Sequence, residues 1–344
     1  MVSIQRVFVP TCLFLCSQLG FSAVSAEPNF SHETNLLIDI SKADFDPTDV
    51  EEAPPSSAER MLATWSFQYE MTPRWSMAGN LKAFRGDNGE QLTDNIQGIS
   101  NIDAERFSKI YEWYMQYQWS DDTRVKCGQV DANLEFAVVP VAGGFISPPL
   151  GITPTAIALP TYYDPALSCS VFYEPSQGFQ AMGGVFAGRD HLNFGEQFYV
   201  LEGRYVQTNS QLVVGHWQHN GDWPLNDTEQ FVAISGWYVN YQHQIHSSVT
   251  VFLGWSTLVD EVDSLKEHRL IGVVHDLPWG EQQVALMASQ VTIPSSNDEL
   301  LVEAYWQVPV WEHLVLQPVV QYIDQVAGTE EDAWIGTLRM SLTF

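Results

Sequence analysis

No window of this 344-residue chain holds the ~18 consecutive apolar residues that a membrane-crossing helix needs, so it does not span a bilayer as a helix. Basic residues are scarce: 15 Lys and Arg stand against 42 Asp and Glu, a formal net charge of −27. Without a basic stripe to neutralise phosphates, nucleic acid is excluded as a partner. There are only four cysteines, and no Cys/His cluster has zinc-like spacing. Neither a G-x-S-x-G elbow nor an H-E-x-x-H helix occurs. His216 and His219, three apart, would point to opposite faces of a strand and could not share a ligand. Neither catalysis nor a cofactor is expected.

What is present begins with an export signal. Arg6 precedes a mostly apolar stretch at 7–19, broken by Pro10, and Val24-Ser25-Ala26 puts compact residues at a cleavage site. That is the layout of a signal peptide over 1–26, with the mature chain starting near Glu27. Leu15, before Cys16, is too large for a lipidation site. Cleavage removes Arg6 and two cysteines, which leaves Cys127 and Cys169 and a net charge of −28. In an exported protein these two can join as a disulfide or stay free, and their separation in sequence does not decide which. No linker divides the rest. Segment 27–61 carries a first strand and an acidic, Pro/Ser-rich loop, and 62–344 reads as one barrel.

Aromatic residues are plentiful: 12 Trp, 13 Tyr and 18 Phe in a chain only 17% charged. They sit in segments of strict alternation. At the C-terminus Trp334, Gly336, Leu338, Met340, Leu342 and Phe344 share one face, and Thr337, Arg339, Ser341 and Thr343 the other. Likewise Tyr111, Trp113, Met115, Tyr117 and Trp119 oppose Glu112, Tyr114, Gln116 and Gln118. In a membrane barrel the apolar face meets lipid and the polar face a wet lumen.

Candidate strands fall at 35–40, 62–70, 74–84, 108–119, 123–130, 168–174, 179–187, 197–207, 211–219, 231–242, 246–256, 268–277, 281–291, 299–308, 313–323 and 332–344. That makes sixteen, an even number, with a short connection after each even-numbered strand and longer ones between. The expected fold is therefore all-β: a sixteen-stranded transmembrane antiparallel barrel. The long stretch at 131–167, rich in Pro and Gly, follows the fifth strand. General porins fold the loop at this place into the lumen, which implies an inward constriction loop here.

Four stretches resemble the carbohydrate-selective porins of the OprB family. They are Asp94-Asn95-Ile96-Gln97-Gly98-Ile99-Ser100-Asn101-Ile102-Asp103-Ala104; Ile110-Tyr111-Glu112-Trp113-Tyr114 with the run 124–136; Phe145-Ile146 with the Pro-rich 150–162; and the C-terminal pair 316–323 and 336–339, ending in Phe344. The early part departs from the family around 51–59, and Cys127 stands where an apolar residue is expected. The resemblance implies passive diffusion of small sugars across the bacterial outer membrane, with lipid around the wall and, by analogy with general porins, a homotrimer. A general cation-preferring porin, suggested by the charge, and a non-conducting surface or adhesin barrel are the alternatives.

The site of a porin is a lined constriction. If Trp119 pairs with Thr123, Gln118 faces Arg124 and Gln116 faces Lys126, so Glu112, Tyr114, Gln116, Arg124 and Lys126 share the lumen face. Asp131 and Glu135 at the foot of the long loop oppose the two bases, and Glu202 with Arg204 form a second pair. Arg339 adds a further base, and Tyr114 and Tyr305 are candidate stacking platforms for sugar faces. Such donors and acceptors in fixed directions match sugar hydroxyls.

Overall fold

The computed structural model describes residues 29–47, 53–148, 154–225, 230–262, 265–294 and 296–344. The expected signal peptide, part of the acidic stretch and part of the Pro-rich loop lie outside the described residues. The strands are β1 (Asn29–Asp44), β2 (Ser57–Thr72), β3 (Trp75–Gly86), β4 (Phe107–Ser120), β5 (Thr123–Val130), β6 (Ala166–Tyr173), β7 (Gly178–Ala187) and β8 (Gln197–Val206). The second half comprises β9 (Ser210–Leu225), β10 (Gln230–His246), β11 (Val249–Val262), β12 (Leu265–Asp276), β13 (Gln283–Thr292), β14 (Glu299–Trp311), β15 (Leu314–Asp324) and β16 (Ala333–Thr343). Each pairs antiparallel with its sequence neighbours, and β1 pairs with β16 to close the barrel. Closure leaves no unpaired edge, which is what a sheet surrounded by lipid requires.

The expected strands are all present. Several reach further: β9 and β10 continue to Leu225 and from Gln230, and β11 and β12 to Val262 and from Leu265. The longer connections expected at these two places are mostly ladder, so the loops there are shorter than the sequence pattern suggests. Among the described residues the wall begins at Asn29, and the expected boundary at 61/62 falls inside β2.

Alternation sets the two faces. Outward positions carry exposed Trp113, Leu201, Ile271, Trp306 and Trp334. Trp75, Trp119, Phe179, Tyr205, Trp279 and Trp311 lie beside the short turns, and Tyr322 packs on Trp334 near the opposite end. These are the places for interfacial aromatic girdles. Cys127 and Cys169 are direct cross-strand partners on β5 and β6 and form a disulfide on this outer side.

Two local departures re-aim side chains. Between β3 and β4, Leu81 pairs with Ile110 and Asn80 with Glu112, so Tyr111 has no partner. This bulge turns Tyr111 inward with Glu112, where both are buried, and corrects the expectation that Tyr111 shares a face with Trp113. At the β4–β5 turn Ser120, not Trp119, pairs with Thr123, yet an irregularity absorbs the offset and Gln118 still faces Arg124.

The lumen also departs from the wet, polar interior expected. Phe172, Met182, Phe186, Phe198, Val213 and Trp217 point inward and share one buried cluster with Phe136 and Ala137 of the connection after β5, Phe136 packing on Phe172 and Phe186. A second cluster joins Val139, Ala142, Phe145 and Ile146 to Phe252, Leu270, Met287 and Val319 of the wall. The connection 87–106, between β3 and β4, also runs inside and buries Leu92, Ile99 and Ile102. Residues that read as loop in the sequence are thus much of the apolar core.

Candidate functional site

The β4–β5 hairpin, turning at 121–122, presents Gln116, Tyr114, Arg124 and Lys126 to the lumen, with Gln116 opposite Lys126 and Gln118 opposite Arg124. The chain leaving β5 makes a short helical turn, Ala132–Leu134, which brings Glu135 back over this face. Arg124 donates to Glu135 Oε2 at 2.9 Å and to Glu174 Oε2 at 2.9 Å, and its third nitrogen reaches Gln116 Oε1 at 3.3 Å. Lys126 donates to Glu135 Oε1 at 2.8 Å. The guanidinium of Arg124 lies 3.6 Å from the Phe172 ring centre, and the ammonium of Lys126 3.8 Å from that of Tyr114. Aromatic faces attract both cations.

Arg204 extends the cluster. It donates to the Glu135 carbonyl at 2.5 Å and to Glu202 Oε1 at 2.5 Å. Glu202 Oε2 accepts from the Ala137 amide at 2.8 Å and from the Tyr238 hydroxyl at 2.6 Å. Three bases and three carboxylates therefore interlock through Glu135, Glu174 and Glu202. Burial alone would raise the Glu135 carboxyl, but Lys126 and Arg124 outweigh it and hold the group down at about 2. Arg124 and Glu174 are the wettest of the set, with 15% and 26% of their side chains exposed, so they offer donors and acceptors to a solute.

Other expected site residues serve the foot of the loop. Glu112 accepts from the Asp131 amide at 2.9 Å and from Asn80 at 2.8 Å. Asp131 accepts from the Tyr111 hydroxyl and caps the Asn133 amide at 3.0 Å, and no bond joins it to Arg124 or Lys126. Tyr305 donates to Gln283 at 2.5 Å and packs edge-on to Phe145 at 4.9 Å, so its ring is committed to the loop. Arg339 is buried, bidentate to Asp39 at 2.7 Å and 2.7 Å, and also holds Asn101 at 2.8 Å. His216 stacks on outward Trp237 at 4.4 Å while His219 is buried, in line with opposite faces.

Sequence reasoning passed over Glu174, Asp39, Arg60, Asp103, Glu299 and Glu303. Arg60 pairs with Asp103 at 2.6 Å inside the 87–106 connection. Glu299 takes the amides of Ile96 and Gln97, each at 3.0 Å, and Glu303 those of Ile146 and Ser147 at 2.7 Å and 2.9 Å. The available signal was alternation: Glu299, Leu301, Glu303 and Tyr305 share one face of β14, where an isolated acid needs a partner.

Residues 272–344, from the middle of β12 to the C-terminus, match the model of the carbohydrate-selective porin, OprB family. The 316–323 and 336–339 stretches lie within this match, and the other three resembling stretches lie outside it. No curated protein sequence matches the chain. Its fold is similar to a high-pH structure of Pseudomonas putida OprB, with a TM-score of 0.81, 11% identity and coverage of 92% of this chain and 94% of that one. A triple mutant of the Rhodopseudomonas blastica porin is similar at a TM-score of 0.60 and 10% identity, covering 92% and 100%. At such identities the likeness establishes the fold alone, a closed sixteen-stranded antiparallel barrel of the porin type.

Proposed function

We propose that the chain is a passive pore of the bacterial outer membrane that lets small sugars diffuse down their gradient, exported by a signal peptide over 1–26. The observation that carries this reading is the cluster of Arg124, Lys126, Arg204, Glu135, Glu174 and Glu202 inside a closed barrel whose C-terminal part matches the carbohydrate-selective porin model. Its donors and acceptors are fixed by mutual pairing, and Tyr114 and Phe172 lie against the cations. A neutral polyhydroxy solute can exchange hydrogen bonds with such groups without leaving a bare charge.

Charge balance supports sugars over simple cations. The whole chain carries −27, but the cluster sets three bases against three carboxylates, so the acid excess lies elsewhere. A pore selecting cations would need uncompensated carboxylates at its narrow point. The reading needs no cofactor. Lipid covers the outward apolar face, and a homotrimer is proposed by analogy with porins of this size. Swelling of proteoliposomes tests the function: entry should be faster for monosaccharides than for longer oligosaccharides. Equal exclusion of every sugar from folded protein would refute it.

A further inference from the structure

Beyond the Arg124 cluster, β4 carries a second group of inward side chains at its other end. Phe107 and Lys109 face Phe84 and Lys82 across the β3–β4 ladder, and Phe84 is fully buried in the core, so this face is the luminal one. The end in question carries the longer connections, which in barrels of this kind is the external end. Residues 162–164, shortly before β6, lie over it. Tyr162 packs edge-on to Phe107 at 6.0 Å and donates to the Ile102 carbonyl at 3.0 Å, which anchors the segment. Tyr163 stacks on Phe107 from the other side of the chain, with ring centres 6.1 Å apart and planes 20° apart. Beside them Lys109 donates to Asp164 at 2.5 Å and places its ammonium 5.6 Å from the Tyr163 ring centre.

This group is assembled and yet left open. Tyr163 is 37% exposed, and the side chains of Lys109 and Asp164 are 30% and 53% exposed. Rings on the outward face serve the girdles, but lipid does not reach a ring stacked on the inward face. Nor does Tyr163 complete a core, since Phe84, Phe107 and Tyr162 beneath it already do so with Leu62 and Ile102. Partial burial and the carboxylates of Asp164, Glu105 and Glu90 push the Tyr163 hydroxyl up, so it stays a neutral donor. A pyranose matches such a surface: its apolar C–H face stacks on an aromatic ring, and its hydroxyls donate to carboxylate and accept from ammonium. Simple ions match it less well, because Lys109 opposes a cation and the surrounding carboxylates oppose an anion.

We propose that Tyr163, stacked on Phe107 and flanked by the Lys109–Asp164 pair, is a docking platform for a sugar ring at the external mouth, distinct from the Arg124 cluster. The proposal rests on the sugar-pore reading and adds a first contact to it. Lys109 belongs to the platform and Tyr114 to the cluster, and their separation along β4 is a rise of roughly 15 Å. One monosaccharide cannot touch both, so the platform gathers sugar at the entrance and the cluster meets it afterwards.

The test removes the cluster first, so that the platform is read alone. Glucose binding to detergent-solubilised protein is followed by saturation-transfer NMR for Arg124→Ala, and for the same protein with Tyr163→Ala or Tyr163→Phe added, with heat-modifiable gel mobility as the check of a folded barrel. Arg124→Ala should still bind glucose. Adding Tyr163→Ala should weaken that binding about fivefold or more, the loss expected for one stacked ring, whereas Tyr163→Phe keeps the ring and should stay within about twofold. No binding to folded Arg124→Ala, or equal binding by all three, would overturn the platform. Glucose uptake by the native protein in proteoliposomes would then show that the sugar pore stands without it, and exclusion of glucose there would overturn both. Asp164→Cys in the otherwise native chain gives an independent reading, because Cys127 and Cys169 are paired. Glucose should slow its labelling by a membrane-impermeant maleimide about threefold or more, and labelling at the same rate with and without glucose would overturn the platform even if the Arg124 variants failed to assemble.

Discussion

Two sets of inward carboxylates divide the lumen between them, and they differ in what they hold. Around Arg124 the partners are side-chain cations: Glu135 bonds Arg124 and Lys126, and Glu174 bonds Arg124. On β14 the partners are backbone amides, with Glu299 and Glu303 each taking two from the inner connections. The first set keeps some water contact, and the second is dry. A paired cation leaves lone pairs and protons over for a solute. An amide clasp spends them on the backbone and fixes a segment instead. Glu202 combines the two, pairing with Arg204 while it takes the Ala137 amide, so the same residue type holds cations, clasps loop backbone, or does both.

The sharpest way to break the comparison is at the buried closure. Arg339→Ala strands Asp39 without its bidentate partner between β1 and β16. A loss of about 3–5 kcal/mol in unfolding free energy is expected, read from urea midpoints in detergent. A smaller effect comes from acid. Because the pairing depresses the Glu135 carboxyl from 4.5 to about 2, its stabilisation is full above the unfolded value and is lost as pH falls through that window. The contribution is about 3 kcal/mol, and the urea midpoint of Glu135→Gln should lack this acid limb. Next is Arg124→Ala, which should weaken sugar block of the conductance about tenfold, since a hydrogen bond to a charged group is lost. Unchanged block would remove Arg124 from the permeation path. The smallest effect belongs to Lys109→Ala. Its pair with Asp164 is exposed, so the urea midpoint should move by less than about 1 kcal/mol of stability.

Much of the wall was legible because a membrane strand writes its two faces with period two, and the sixteen expected strands are the sixteen that close the barrel. The pairing of Gln116 with Lys126 and Gln118 with Arg124 was readable from one short turn. The bulge at Tyr111 was not, since periodicity assumes an unbroken ladder. Nor was the filling of the lumen. Phe136, Val139, Phe145 and Ile146 lie among prolines and glycines without a period, so nothing marks them as core until the wall closes around them. The second inner connection, 87–106, escaped for the same reason. The Cys127–Cys169 pair was within reach, because both fall at outward positions of adjacent strands, but only the register of β5 on β6 puts them opposite each other.

Single-channel recording of the mature protein in a planar bilayer, with glucose titrated into the salt, tests the account most directly. A sugar pore predicts stepwise openings, each partly blocked by glucose in a saturable way. A large, steadily open conductance indifferent to every sugar would contradict it.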